Sequence, residues 1–228
     1  MLSAIRLRAL NLLYPRRAVC AGCGDMLGLD RDDLCESCRM KLAKSWIGAR
    51  MPVKNAKLDG AAYGYDYHGP AGGMVRNLKY NAAWILAEPM GADIAWAVER
   101  LRPWPVDFIT SVPMHPARLR KRGRNHAELL ARSVAARLDL EYRELIYRTR
   151  NTPPQARLDA KQRRRNVKDA FAVLPECREI LPGTTVLLID DVFTTGATMR
   201  NCVKALRSAG VDRIYFAAYA MGGGDDRG

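Results

Sequence analysis

Aromatic residues are scarce in this 228-residue chain, 7% of the total, and neither of its basic clusters is interleaved with them as a base-stacking surface would require. No window offers ~18 uncharged apolar residues in a row, so the sequence predicts no membrane insertion. The opening MLSAIRLRALNLLYPRR has apolar residues at Leu2, Ile5, Leu10 and Leu13, but Arg6 and Arg8 interrupt them and no small-residue cleavage site follows. The expectation is a short amphipathic helix docked on its own domain in a cytoplasmic protein, rather than a secretory signal. The loop G-x-x-x-x-G-K-[ST] is absent, which excludes a P-loop nucleotide hydrolase, and an early G-x-G-x-x-G is absent too, which excludes a dinucleotide fold. No internal repeat or long low-complexity segment occurs.

A hydrophobic fraction of 48% indicates a packed globular protein, long enough for one sizeable α/β core and a small appendage. Lys and Arg number 37 against 24 Asp and Glu, a net charge of +13, which favours anionic partners without choosing among them.

The six cysteines are unevenly spread: Cys20 and Cys23 form one C-x-x-C pair, and Cys35 and Cys38 form another close behind it. Two such knuckles present four thiolates to one tetrahedral Zn²⁺; the lack of a signal sequence disfavours disulfides, and the paired spacing favours zinc over an iron–sulfur cluster. A closed four-thiolate site has no open position for substrate, so its expected task is structural. Cys177 and Cys202 read as ordinary, partly buried thiols.

After Trp46, IGARMPVKNAK reads as a linker. Beyond it, LDGAAYGYDY places Tyr63, Tyr65 and Tyr67 at strand period, and GPAGGMVRNLKY turns helical. Residues 84–101 form a helix candidate that Pro89 caps or kinks, VDFITSVP a short buried strand, and NHAELLARSVAARL an amphipathic helix with Asn125 at its N-cap. ELIYR, AFAVL, TVLLI and DRIYFAAYA read as strands, with the helix ATMRNCVKALRSAG closed by Gly210. Such alternation predicts an α/β fold, a mostly parallel sheet flanked by helices.

The most informative stretch is TVLLIDDVFTTGATMRNC, residues 185–202. Val186 to Ile189 make a strand buried on both faces, so Asp190 and Asp191 emerge at its carboxyl end, where open α/β sheets bind ligands. Thr194, Thr195, Gly196, Ala197 and Thr198 then offer backbone N–H groups, hydroxyls and a helix N-terminus to a phosphate. Two acids placed directly on a bare phosphate would repel it, whereas acids on a ribose diol with the phosphate further along the loop are compatible. The pattern fits a sugar phosphate.

This run resembles the phosphoribosyl pyrophosphate (PRPP) motif of type I phosphoribosyltransferases. With YDYHGPAGGMVRNLKY, SVPMHPARLRKRGRNHAELLA, RTRNTPPQARLDAKQRRRNVKDAF and the cysteine pairs in front, the chain resembles the ComF family of competence-associated, phosphoribosyltransferase-like proteins across nearly its whole length. The resemblance implies a type I phosphoribosyltransferase fold with an N-terminal four-cysteine zinc ribbon, divided as residues 1–50, 51–222 and a flexible tail 223–228. It implies Asp190 and Asp191 as the catalytic acids on the ribose hydroxyls, and residues 194–198 on the 5′-phosphate. It implies a pyrophosphate loop at Val112 and Pro113 with Arg118, Arg120 and Arg122 behind it, and a mobile region containing Thr152, Gln155, Arg163 and Asn166. Mg²⁺ would arrive with PRPP, bound mainly by ligand oxygens. The family's usual aromatic residue after Arg-Gly, followed by Asn-Gln, is replaced here by Arg124-Asn125-His126, where His126 stands in for an amide donor or is structural. A second reading is a single-stranded-DNA or protein-interaction module of the competence machinery, its basic clusters at 118–124 and 161–168 tracking phosphates.

Overall fold

The computed structural model describes residues 19–27, 33–50, 57–81, 83–101, 105–149 and 170–222. The expected N-terminal helix, the mobile region and the tail lie outside the described residues.

A five-stranded sheet forms the centre, in the order β1 (Trp46–Arg50), β2 (Gly60–Asp66), β7 (Arg213–Met221), β6 (Thr185–Phe193), β3 (Phe108–Ser111). The β2–β7, β7–β6 and β6–β3 pairs are parallel, and β1 is an antiparallel edge. Strands β4 (Ile146–Arg148) and β5 (Phe171–Val173) form a separate antiparallel pair rather than joining this sheet.

Helices cover both faces. Helices α2 (Pro70–Tyr80), α3 (Ala87–Glu99) and α5 (His126–Leu138) pack Leu78, Met90, Ile94, Leu130 and Val134 against Leu187, Ile189, Ala217 and Tyr219. On the other face, α6 (Ala197–Ser208) and the β4–β5 ribbon pack Val203, Leu206, Ile146 and Phe171 against Val186, Leu188, Ile214 and Phe216. Val186, Leu187, Leu188 and Ile189 are fully buried, each contributing about 1.5–3 kcal/mol. Both neighbours of β6 are strands, so its side chains meet a helical layer on either side, which is why the run is continuously apolar.

Two local readings need correction, and two gain detail. Residues 47–50, expected to begin a linker, are strand β1; Trp46 packs against Tyr65 and Trp96, a long-range contact that its sequence neighbourhood does not announce. Tyr63 and Tyr65 do not share a face: Tyr63 packs with Phe193 and Phe216, Tyr65 with Trp46 and Tyr219. The break falls at Gly64, where a Cβ would lie 2.6 Å from the Tyr219 carbonyl oxygen, room that only glycine leaves. Asn125 occupies the N-cap position of α5, but its side chain makes no cap bond and instead donates to the Val112 carbonyl at 3.1 Å. Pro89 falls in the first turn of α3, where its missing N–H has no intrahelical partner to lose, so the helix runs on through it.

Candidate functional site

Strand β3 pairs with β6 only as far as Ile189, whose carbonyl accepts the Val112 N–H at 2.9 Å. The next residues of β6 keep β7 on one side and lose β3 on the other. A cavity of about 750 Å³ opens in that gap, lined by Asp190, Asp191, Thr194, Gly196, Ala197, Thr198, Val112, Pro113, Arg118 and Arg122 among others. The two sequence-distant loops therefore meet in one concavity at the carboxyl end of the sheet.

The phosphate-loop geometry follows from one glycine. Gly196 has φ of +67°, and a Cβ there would sit 2.8 Å from the Phe193 ring. It leads straight into α6, whose N-terminus has no side-chain cap among the described residues and whose first residues, Ala197 and Thr198, line the cavity. Arg200 fixes the loop from below by donating to the Thr195 carbonyl at 2.6 Å. Thr195 does not line the cavity; its hydroxyl is turned inward and buried.

On the opposite loop, His115 caps α4 (Pro116–Arg122) by accepting the Ala117 N–H at 3.1 Å, with Pro116 in the first turn. Arg118 and Arg122, four residues apart, share the face toward the cavity. Arg120, two residues from each, is exposed and does not line it, a correction to the expected trio. Thr152, Gln155, Arg163 and Asn166 lie outside the described residues.

Lys79 of α2 is an element of the site that sequence reasoning missed. Its Nζ lies 2.8 Å from Asp191 Oδ1, with both side chains largely buried. Burial works to lower the Lys79 ammonium's pKa, but Asp191 and Asp190 outweigh it and hold it above its ordinary value. Burial and the adjacent Asp191 charge push the Asp190 carboxyl up to about 8, against the pull of Lys79 and the Asp191 N–H it accepts at 2.8 Å. Asp190 is thus the acid of the two whose neutral form is favoured, beside an Asp191 paired with Lys79. The signal was present: Lys79 stands four residues after the buried Val75, on the helix's apolar stripe. Arg148 was missed likewise. It alternates inward with Ile146 on β4, stacks on Phe171 at 5.3 Å and lines the cavity; burial and Arg118 lower its pKa to about 10, so it stays cationic.

His126 is 1% exposed at the cavity wall, and burial lowers its pKa, so it is neutral at physiological pH. Its Nδ1 has no hydrogen-bond partner among the described residues. At the rim, Tyr80 and Trp84 lie under the guanidinium groups of Arg122 and Arg124, at 5.2 and 4.5 Å. The chain's scarce aromatics thus do meet a basic cluster, through folding rather than through sequence order.

The cysteine cluster is a second, separate centre. The four Sγ atoms of Cys20, Cys23, Cys35 and Cys38 lie within 4.8 Å of one another, and Cys23 and Cys35 are 3.9 Å apart. Tetrahedral coordination with Zn–S of 2.3 Å requires about 3.8 Å between sulfurs, so the donor set fits structural zinc. N–H groups of Gly22 and Cys35 donate to Cys20 Sγ at 3.4 and 3.3 Å, and that of Cys38 to Cys35 Sγ at 3.4 Å, as thiolates require. Burial raises the Cys20 thiol, but these amide bonds bring it down to about 6. Burial and the neighbouring thiols drive Cys38 well above its ordinary value. Without a cation the four cannot all ionise together; a dication removes the conflict.

The fold and cavity define a protein of the type I phosphoribosyltransferase class, and the signature described as "Phosphoribosyl transferase domain" matches residues 122–227. "Competence protein F" of Haemophilus influenzae is 38% identical over 109 residues, 47% of each chain, and "DNA utilization protein YhgH" of Escherichia coli O157:H7 is 31% identical over 155 residues, 65% of this chain and 66% of that one. The matched region thus spans about half to two thirds of these relatives. A purine phosphoribosyltransferase from Pyrococcus horikoshii superposes with a TM-score of 0.38 at 17% identity, over 61% of this chain and 74% of that one, too loosely to add to the assignment. With the paired cysteine knuckles, these similarities support a ComF-family phosphoribosyltransferase-like protein.

Proposed function

We propose that this protein binds PRPP in the cavity at the end of β6 and acts as a phosphoribosyltransferase-like component of DNA uptake. The observation that carries this reading is the placement of Asp190 and Asp191 beside the uncapped N-terminus of α6, with Gly196 between them in the left-handed conformation. The two acids accept the ribose hydroxyls, and the N–H groups and hydroxyls around residues 194–198 hold the 5′-phosphate. Arg118 and Arg122, with Val112 and Pro113, face the pyrophosphate, whose Mg²⁺ is held through ligand oxygens and water. Structural zinc occupies the four thiols. The role in DNA uptake follows the names of the two curated relatives.

Thermal unfolding tests the reading. PRPP with Mg²⁺ at 100 times its Kd stabilises by about 2.7 kcal/mol, which for a chain of this size raises Tm by about 5–10 °C. Asp191→Asn should abolish the shift; an unshifted wild type, or a variant that shifts equally, removes the sugar-phosphate reading.

A second reading is favoured by Tyr80 and Trp84 beside Arg122 and Arg124: single-stranded DNA lying across the cavity rim. Affinity then falls steeply with salt, Arg122→Ala lowers that slope, and Trp84→Ala weakens binding with the slope unchanged. A flat salt dependence excludes it.

A further inference from the structure

Among the cations facing the cavity, Lys79 differs in what it does before a ligand arrives. Arg118 and Arg122 project from α4, with Arg122 Nη2 donating to the Tyr80 hydroxyl at 3.4 Å, while Lys79 spends its charge on Asp191 at 2.8 Å. Asp191 is also the acid to which the proposed function gives a ribose hydroxyl. One Asp191 oxygen is therefore claimed twice, by Lys79 in the ligand-free protein and by the sugar in the complex.

The ammonium's surroundings make exchange feasible. Lys79 is the penultimate residue of α2, so its flexible four-carbon stem extends from a helix end. Lys79, Arg122, Asp191 and the buried His126 line the same cavity. Tyr80, the next residue, meets Arg122 of the opposite loop, bringing the α2 terminus against α4. A cation released from Asp191 at that point faces the loop assigned to pyrophosphate.

We propose that Lys79 is an exchangeable counter-ion: it neutralises Asp191 in the empty site and transfers to the pyrophosphate of PRPP when the ribose hydroxyls take the carboxylate. The inference rests on the sugar-phosphate reading of the cavity. The exchange keeps two carboxylates compatible with an empty, largely buried site, and delivers positive charge only when a polyanion enters. Ribose 5-phosphate, which has the diol and the 5′-phosphate but no pyrophosphate, displaces Lys79 without offering it a new partner.

Binding of PRPP with Mg²⁺ and of ribose 5-phosphate, measured by calorimetry on the full chain, separates the possibilities. Lys79→Gln should weaken PRPP by about tenfold or more, the effect of one charge-assisted hydrogen bond, and leave ribose 5-phosphate unchanged or tighter. Parallel weakening of both ligands overturns the exchange in favour of a structural role, and tightening of both makes Lys79 a simple competitor; each leaves the sugar-phosphate reading intact. Failure of the wild type to bind either ligand overturns that reading and the exchange with it. A structure of the unaltered protein with a PRPP analogue gives a check independent of the variant's folding: Lys79 Nζ should lie within hydrogen-bond distance of a pyrophosphate oxygen, and an ammonium still on Asp191 overturns the proposal.

Discussion

Asp190 and Asp191 are adjacent in sequence and differ in surroundings: burial and the Asp191 charge push the Asp190 carboxyl up, while Asp191 is paired with Lys79. Their position was legible in the sequence, since four apolar residues before them and the Thr-Gly loop after them fix a strand end. Their electrostatics were not, because these depend on burial and on a lysine more than 100 positions away. The consequence is measurable. The Asp190 carboxyl is raised from an ordinary 3.8 to about 8, so the folded protein keeps a proton that the unfolded chain releases between those values. Across that window the folded state binds more protons, and this group's contribution to stability falls as pH rises, levelling off above the folded value. Asp190→Asn should flatten this part of the pH dependence in denaturant titrations of the ligand-free protein. An unchanged slope would mean that Asp190 is ionised throughout.

At the scale of elements, α2 connects the two centres. Its C-terminal end carries Lys79 into the cavity, and its other turns receive the first cysteine knuckle: Asn77 Nδ2 donates to the Ala21 carbonyl at 2.8 Å, and a Cβ on Gly22 would sit 3.0 Å from both Cys38 Sγ and Pro70 Cβ. The N–H groups of α1 (Glu36–Lys44) meet the second knuckle through Cys35, its N-cap. Each cysteine pair was readable from spacing, as were β3, β6, β7, α5 and α6 from periodicity. The docking of the knuckles on α2 was not, because it is made by glycines and one amide whose partners lie about 50 residues earlier. Metal removal should therefore reach beyond the cysteines. Zinc analysis is expected to give one ion per chain, and Cys35→Ser or a chelator should abolish it and increase amide exchange along α2. Loss of zinc with unaltered exchange in α2 would show that the knuckles fold independently of it.

At the scale of the molecule, part of the net charge of +13 gathers at the cavity, where Lys79, Arg118, Arg122 and Arg148 line the same space as Asp190 and Asp191, with cation–aromatic pairs at the mouth. The sequence conveyed the anion preference and the fold class, because both are sums over many residues. It did not convey the shape of the site, which comes from β3 ending one residue short of Asp190 and from helices that meet across that gap. The central claim is that this gap holds a sugar phosphate with its diol on the acids and its phosphate on α6. A crystal structure with a stable PRPP analogue and Mg²⁺ measures this directly. The account predicts ribose hydroxyls within hydrogen-bond distance of Asp190 and Asp191 and the 5′-phosphate on the N–H groups of residues 196–198. A phosphate bound elsewhere, or acids left without contact to the sugar, would contradict it.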